Sequence, residues 1–196
     1  MRLTEASVTD EEKMLDCHVL PAARDLATLQ PDVVVFSCTS AGALRGMPFE
    51  QSLCEEIARI TKAAVVSTMS AVQERLKTYG ARRISVLTPY TVEVNDHIRR
   101  YLEDSDLSVV NIVGLGHEDN LHIGRVGPSE IVARVDGMIL SGEPLGDALF
   151  ISCCNFRALE ARDRLIERCP VPIVTSNEAA LTAALKKLGD GIEEAA

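Results

Sequence analysis

The sequence predicts an α/β fold of two pseudo-symmetric lobes, each a parallel sheet flanked by helices, with the active site between them. Two observations predict it. Short aliphatic, β-branched runs alternate with segments of helical periodicity along the chain, the pattern of strands joined by helical crossovers. The chain also repeats itself. Phe36-Ser-Cys-Thr-Ser-Ala-Gly-Ala-Leu44 aligns with Ile151-Ser-Cys-Cys-Asn-Phe-Arg-Ala-Leu159, and further on Val65, Ser67, Ala71, Leu76, Lys77 and Gly80 align with Val174, Ser176, Ala180, Leu185, Lys186 and Gly189. Two matches in the same order read as a duplication, with one cysteine at the same point of each half. Residues 1–80 with 176–196 are expected to form the first lobe and 81–175 the second.

The elements follow in order. Thr9-Asp-Glu-Glu12 reads as a capping box, with Thr9 as N-cap and Glu12 reaching back. A helix is expected from there to about Gln30, kinked or split at Pro21. The run 32–37 is a buried strand. Phe49, Leu53, Ile57 and Ile60 recur at helical spacing and predict a helix over 48–61. Strands are expected at 64–67, 83–88, 109–113, 147–152 and 171–175. Helices are expected at 72–79, stopped by Gly80, and at 91–103, 129–141, 156–168 and 177–188. Residues 114–128 read as a loop bordering the cleft.

Composition narrows the function classes. The apolar fraction is 46% while aromatics are only 4% and Trp is absent, so the core is aliphatic, as suits buried parallel strands. A net charge of −9 with no basic run excludes nucleic acid as a partner. No stretch is long and apolar enough to span a membrane, and the charged start (Arg2, Glu5, Asp10 to Lys13) lacks the apolar core of a signal peptide. The expected location is the cytoplasm, where the six cysteines are thiols. Gly114-Leu-Gly116 is too short for a dinucleotide fingerprint, no P-loop is present, and His117 and His122 lack further ligands at metal-binding spacing. Neither cofactor nor metal is expected.

Cys38 and Cys153 each follow an apolar strand and precede a helical segment. That is the carboxyl edge of a parallel sheet, where open α/β folds bind ligands. N–H groups at the following helix start are expected to lower the thiol pKa and to receive a carboxylate. A pseudo-two-fold axis would set the two thiols on opposite walls of one cleft, an arrangement suited to acid/base work on a small carboxylate. Cys17, Cys54 and Cys169 read as small buried hydrophobes. Cys154 is expected to contribute its backbone N–H rather than its sulfur. Arg157 is expected either to help hold a carboxylate or to sit at the surface.

Ser37-Cys-Thr-Ser40, Leu87-Thr-Pro-Tyr90 with Asn95, Ser152-Cys-Cys-Asn-Phe-Arg157 and Val174-Thr-Ser-Asn177 resemble the aspartate/glutamate racemase superfamily, and within it the maleate cis-trans isomerase and arylmalonate decarboxylase branch. The resemblance runs from about residue 9 to 188. It implies that Cys38 matches the isomerases' first catalytic cysteine, replaced by glycine in the decarboxylases, and that Cys153 matches the second, retained in both. It further implies that Thr39, Ser40 and the N–H groups of Cys154 and Asn155 hold substrate carboxylate oxygens, and that the Tyr90 hydroxyl hydrogen-bonds a carboxylate. The expected activity is therefore a cofactor-independent isomerase or racemase of a small carboxylate. The alternatives are a decarboxylase using Cys153 alone and a non-catalytic homologue. The family's strand and loop before the first helix have no counterpart ahead of residue 9, so an open sheet edge is expected in the first lobe, favouring a homo-oligomer, a dimer or higher.

Overall fold

Ten helices and six strands succeed one another along residues 3–189, the part of the chain that the structure, a computed structural model, describes. They are α1 (Val8–Cys17), α2 (Val19–Ala27), β1 (Val33–Phe36), α3 (Thr39–Leu44), α4 (Met47–Thr61), β2 (Ala64–Ser67), α5 (Thr68–Thr78) and β3 (Arg83–Thr88). After these come α6 (Val92–Glu103), β4 (Ser108–Gly114), α7 (Asn120–Arg125), α8 (Pro128–Leu140), β5 (Ala148–Ile151), α9 (Ala158–Ile166), β6 (Ile173–Thr175) and α10 (Ser176–Leu188). All strand pairs are parallel. β1 and β2 form one sheet, and the other runs in the order β4-β3-β5-β6. The α/β class and the parallel sheets flanked by helices agree with the sequence reading.

Local chemistry explains where these elements begin and end, and where the reading differs. The first helix starts at Val8 because Ser7 is extended and its hydroxyl accepts the Asp10 N–H at 3.3 Å. The expected cap at Thr9 is therefore two residues late, and Glu12 pairs with Arg45 instead of reaching back. The helix breaks at His18, not at Pro21. Pro21 falls in the first turn of α2, where its missing N–H has no intrahelical acceptor to lose. Helices α3 and α7 lie in segments read as connections. Each has six residues, too few for periodicity to show. Cys17 is exposed and Cys54 and Cys169 are half-buried, so the buried reading of these three does not hold.

β5 carries the larger core. Ala148, Leu149, Phe150 and Ile151 are all fully buried, between β3 and β6 within the sheet. Burial of each large side chain there contributes roughly 1.5–3 kcal/mol. α10 joins this sheet to the other: it leaves β6 and packs on α5, β1 and β2. Glu178 near its start meets both Arg75 of α5 and Arg162 of α9. β1 pairs with β2 alone among the described residues. A groove lined by Val19, Ala22, Ala23 and Leu26 of α2 runs beside β1, where Val35 is exposed.

Below the site, α4 buries an acid. Glu50 accepts hydrogen bonds from the hydroxyls of Ser67, Ser70 and Tyr101 and so ties α4 to α5 and α6. Gly42 of α3 packs directly over it, leaving 3.2 Å between a Cβ placed there and Glu50 Oε1. Burial pushes the carboxyl up from 4.5 to about 7, with the hydroxyl donors holding it from going higher. Between those values the folded chain keeps a proton that the unfolded chain has released. Stability from this group is therefore greatest below about pH 4.5, falls as pH rises to about 7, and levels off above. The shift corresponds to about 3 kcal/mol. Urea unfolding at pH 5 and pH 8 should show Glu50→Gln losing about 1–3 kcal/mol less stability across that interval than the parent protein. An identical loss in both would show that Glu50 is ionised throughout.

Candidate active site

Five strands deliver a polar residue just past their carboxyl ends: Cys38 after β1, Thr68 after β2, Tyr90 after β3, Cys153 after β5 and Ser176 after β6. They surround a cavity of about 510 Å³ or its walls. Cys38, Thr39, Ser40, Tyr90, Cys153, Cys154 and Asn155, the residues expected from the sequence, all line it. Leu3, Ala6, Met14 and Asn120 close its other side. The N-terminal stretch reaches that side because Ala6 N–H donates to Glu118 O at 2.7 Å and Asn120 N–H to Thr4 O at 3.1 Å.

Cys38 is the N-cap of α3 and its sulfur stands 3.9 Å from Ser40 Oγ. Part of its surface is open to the cavity, yet enough protein surrounds the sulfur that burial pushes its pKa well up. The Glu11 carboxylate pushes it further, and the Ala41 N–H opposes both. Cys153 sits at φ +100°, a region that non-glycine residues enter at a cost of order 1–3 kcal/mol. What holds it there is explicit: its N–H donates to Ser176 Oγ at 3.0 Å, and Ser152 N–H donates to Leu87 O at 2.8 Å. Burial pushes the Cys153 thiol up to about 12, against the Tyr90 hydroxyl and the Asn155 N–H, which lies 3.3 Å from the sulfur.

The expected lowering of both thiols is thus reversed. α3 has only six residues, and Cys153 is followed by a turn, with α9 beginning at Ala158. Amide dipoles at those points are too few to offset the loss of water around the sulfur. Both thiols rest protonated.

The remaining side chains are fixed by one another. Thr39 Oγ1 donates to Ser176 Oγ at 2.9 Å and lies 3.5 Å from Cys154 Sγ, which is also 3.5 Å from Thr68 Oγ1. The Cys154 sulfur therefore reaches the segments that follow β1 and β2, and its carbonyl accepts from Asn177 Nδ2 at 3.0 Å. The Asn155 side chain donates to Asn120 O at 2.6 Å. Tyr90 is buried, its N–H donating to Thr88 Oγ1 at 3.1 Å while Thr88 donates to Asn95 at 2.6 Å. Gly114 makes that cluster possible, since a Cβ there would run into the Tyr90 carbonyl and the Asn95 amide.

Arg157 pairs with exposed Glu160 and does not line the cavity. The His117 and His122 rings lie 4.5 Å apart, but no group of three or more metal-ligating side chains converges among the described residues. All six cysteines are free thiols. Sequence reasoning missed the parts played by Ser176, Thr68, Asn120 and Glu11. Ser176 carried a signal, as it belongs to the repeat. Glu11 carried a weaker one: an acid three residues before Met14 shares that residue's inner face of α1.

Comparison with known proteins gives this geometry a family. The model of the arylmalonate decarboxylase family matches residues 3–196. The chain belongs to that family. It is 25% identical to the maleate isomerase of Geobacillus stearothermophilus over 95% of its own length and 76% of that protein's. A double mutant of arylmalonate decarboxylase in liganded form superposes with a TM-score of 0.90 at 24% identity, covering 97% of this chain and 80% of that one. A mutant of the Nocardia farcinica maleate cis-trans isomerase with a covalently bound succinylcysteine superposes with a TM-score of 0.83 at 21% identity, covering 96% and 78%. The chain is related to isomerases and decarboxylases, and it spans about three quarters of the maleate isomerase's length.

The Tyr90 contact yields a direct test. Tyr90→Phe removes the hydroxyl that stabilises the Cys153 thiolate, a charge-assisted bond worth about 1.5–3 kcal/mol. Alkylation of Cys153 by iodoacetamide at pH 9, followed by peptide mass spectrometry, should slow about tenfold or more. An unchanged rate would separate Tyr90 from the thiol.

Proposed function

We propose that the protein is a cofactor-independent isomerase of a small cis-unsaturated dicarboxylate of the maleate type. The observation that carries this is the pair of neutral thiols opening into one cavity from equivalent strand ends. Neutral donors (Thr39, Ser40, Tyr90, Asn120 and backbone N–H groups) line that cavity, and among the described residues no Lys or Arg side chain is part of its lining. Such a site binds carboxylate by oriented hydrogen bonds and stabilises charge as it develops.

Cys38 is assigned the role of nucleophile. Its S–H proton passes to a base in the site, to be returned when the C–S bond breaks, as the sulfur adds to one alkene carbon; the π pair moves to the neighbouring carbon and its carboxylate as an enediolate. The Cys153 thiol then protonates that carbon, leaving a succinyl thioether on Cys38 and a thiolate beside Tyr90. Rotation about what is now a single bond, removal of a proton by Cys153 and cleavage of the C–S bond give the trans alkene. Every step is a proton or thiol transfer, so no redox partner is consumed. The succinylcysteine held by the Nocardia isomerase supports this sequence for a protein of the same fold. Cys38 supports isomerisation over decarboxylation, which requires only the thiol at Cys153.

Proton NMR with maleate in D₂O tests the proposal. Fumarate should appear, and Cys38→Ala and Cys153→Ala should each lower its rate by about a hundredfold or more. Carbon dioxide release from an arylmalonate that survives Cys38→Ala, with maleate unchanged, would assign the chain to decarboxylation instead.

A further inference from the structure

Two carboxyl groups are buried among the described residues, and they differ in one respect. Glu50 has three hydroxyl donors. Glu11 is fully buried, and neither of its oxygens makes a hydrogen bond of ordinary geometry. A buried carboxyl without partners costs stability that a Leu or Gln at the same place would not cost. Its surroundings suggest what it serves. Glu11 sits on the inner face of α1, three residues before Met14 of the cavity lining, and α1 packs on α3. The Ser40 hydroxyl is the group that draws its pKa down, and Glu11 in turn acts on Cys38 and Tyr90. Ser40 Oγ stands 3.9 Å from Cys38 Sγ.

We propose that Glu11 is the proton acceptor for Cys38, reached through the Ser40 hydroxyl. This rests on the assignment of Cys38 as a nucleophile, because addition requires the sulfur to lose a proton that its surroundings hold. As the S–C bond forms, the Cys38 proton passes to Ser40 Oγ and the Ser40 hydroxyl proton passes to a Glu11 oxygen. One negative charge leaves the carboxylate as one emerges on the enediolate, so addition brings no net change of charge to the site. When the C–S bond breaks, the same protons return. Burial pushes Glu11 from 4.5 to about 7, which places it to accept and return a proton near neutrality.

The groups facing it are few. Cys38 and Ser40 come from the β1–α3 segment and Tyr90 from the end of β3, while among the described residues no Lys, Arg or His is a group that shifts Glu11. Arg45 at the end of α3 is engaged by Glu12 and Asp16.

Alkylation of Cys38 by neutral iodoacetamide, resolved from Cys153 by peptide mass spectrometry and followed from pH 5.5 to 9, tests the relay without any substrate. In the parent protein the Cys38 rate should rise with an inflection near pH 7. Glu11→Gln should abolish the inflection and slow Cys38 about tenfold or more at pH 8, with Cys153 changed less than about twofold. A purely electrostatic neighbour would do the opposite, since removing a negative charge makes the thiol more acidic and faster. A Cys38 that reacts faster, or at the same rate, in Glu11→Gln overturns the proposal. Ser40→Ala should slow Cys38 in the same way and carries the test if Glu11→Gln does not fold. A slowed Cys38 with no fumarate formed from maleate would refute only the isomerase reading. Fumarate formed by a protein whose Glu11→Gln variant keeps its Cys38 rate would refute only the relay.

Discussion

The Ser176 hydroxyl is the joint on which the site depends. It accepts the Cys153 N–H, holding that residue at a positive φ, and it accepts the Thr39 hydroxyl from the segment that carries Cys38. One buried oxygen thereby sets the distance between two strand ends 115 residues apart in sequence. Ser176 is in turn held by its position at the start of α10, capped by Thr175, whose side chain accepts the Glu178 N–H. The same Glu178 meets Arg75 and Arg162, anchoring α10 to the helices on either side. Loss of Ser176 would release the cysteine backbone and the Thr39 side chain together, because both bonds end on the same atom.

Desolvation governs the chemistry of that site more than local dipoles do. Sulfur near the first turn of a helix is ordinarily favoured as thiolate, yet here burial is the largest influence on both thiols. A resting site with two neutral thiols sets no thiolate charge against an anionic substrate. The reacting charge then has to be created during the reaction, which makes the neighbours of each sulfur the decisive groups.

Much of this was legible in the sequence, for physical reasons that also explain the rest. Buried parallel strands are uniformly aliphatic, so 64–67 and 83–88 could be bounded to the residue. The repeat led to Cys38 and Cys153, because a duplicated strand end preserves its residue types more visibly than its helices do. Its second block aligned Ser67 with Ser176, whereas the helix caps pair Ser67 with Thr175, a shift of one residue at the start of α10. Short helices such as α3 and α7 were not legible, since six residues hold less than two turns of pattern. The thiol pKa values were misjudged because a sequence shows which amides follow a cysteine but not how much water the fold removes from it. Glu11 was hidden for the same reason: acids in a first helical turn are ordinarily solvated, and only packing against α3 reveals this one as buried.

The repeat copies the thiol but not its surroundings, and in the proposed mechanism that asymmetry divides the labour. Cys38 has the Glu11 carboxylate acting on it and the Ser40 hydroxyl 3.9 Å away, the two groups the proposed relay uses to take its proton. Cys153 has a phenol and an amide N–H, both donors, which favour the thiolate only after the proton has been given away. A sulfur beside a base is suited to attack, and a sulfur beside donors is suited to act as an acid that must later take the proton back. Two like groups pushed toward opposite tasks by their environments are the general means by which one site performs acid and base chemistry at a single pH. In this chain the direction of each push follows from which strand end the partner comes from: Glu11 and Ser40 belong to the β1 side, Tyr90 to the end of β3 beside β5. The repeated strand ends bring two thiols to one cavity, and in the proposed mechanism the residues that differ between them supply the order in which they act.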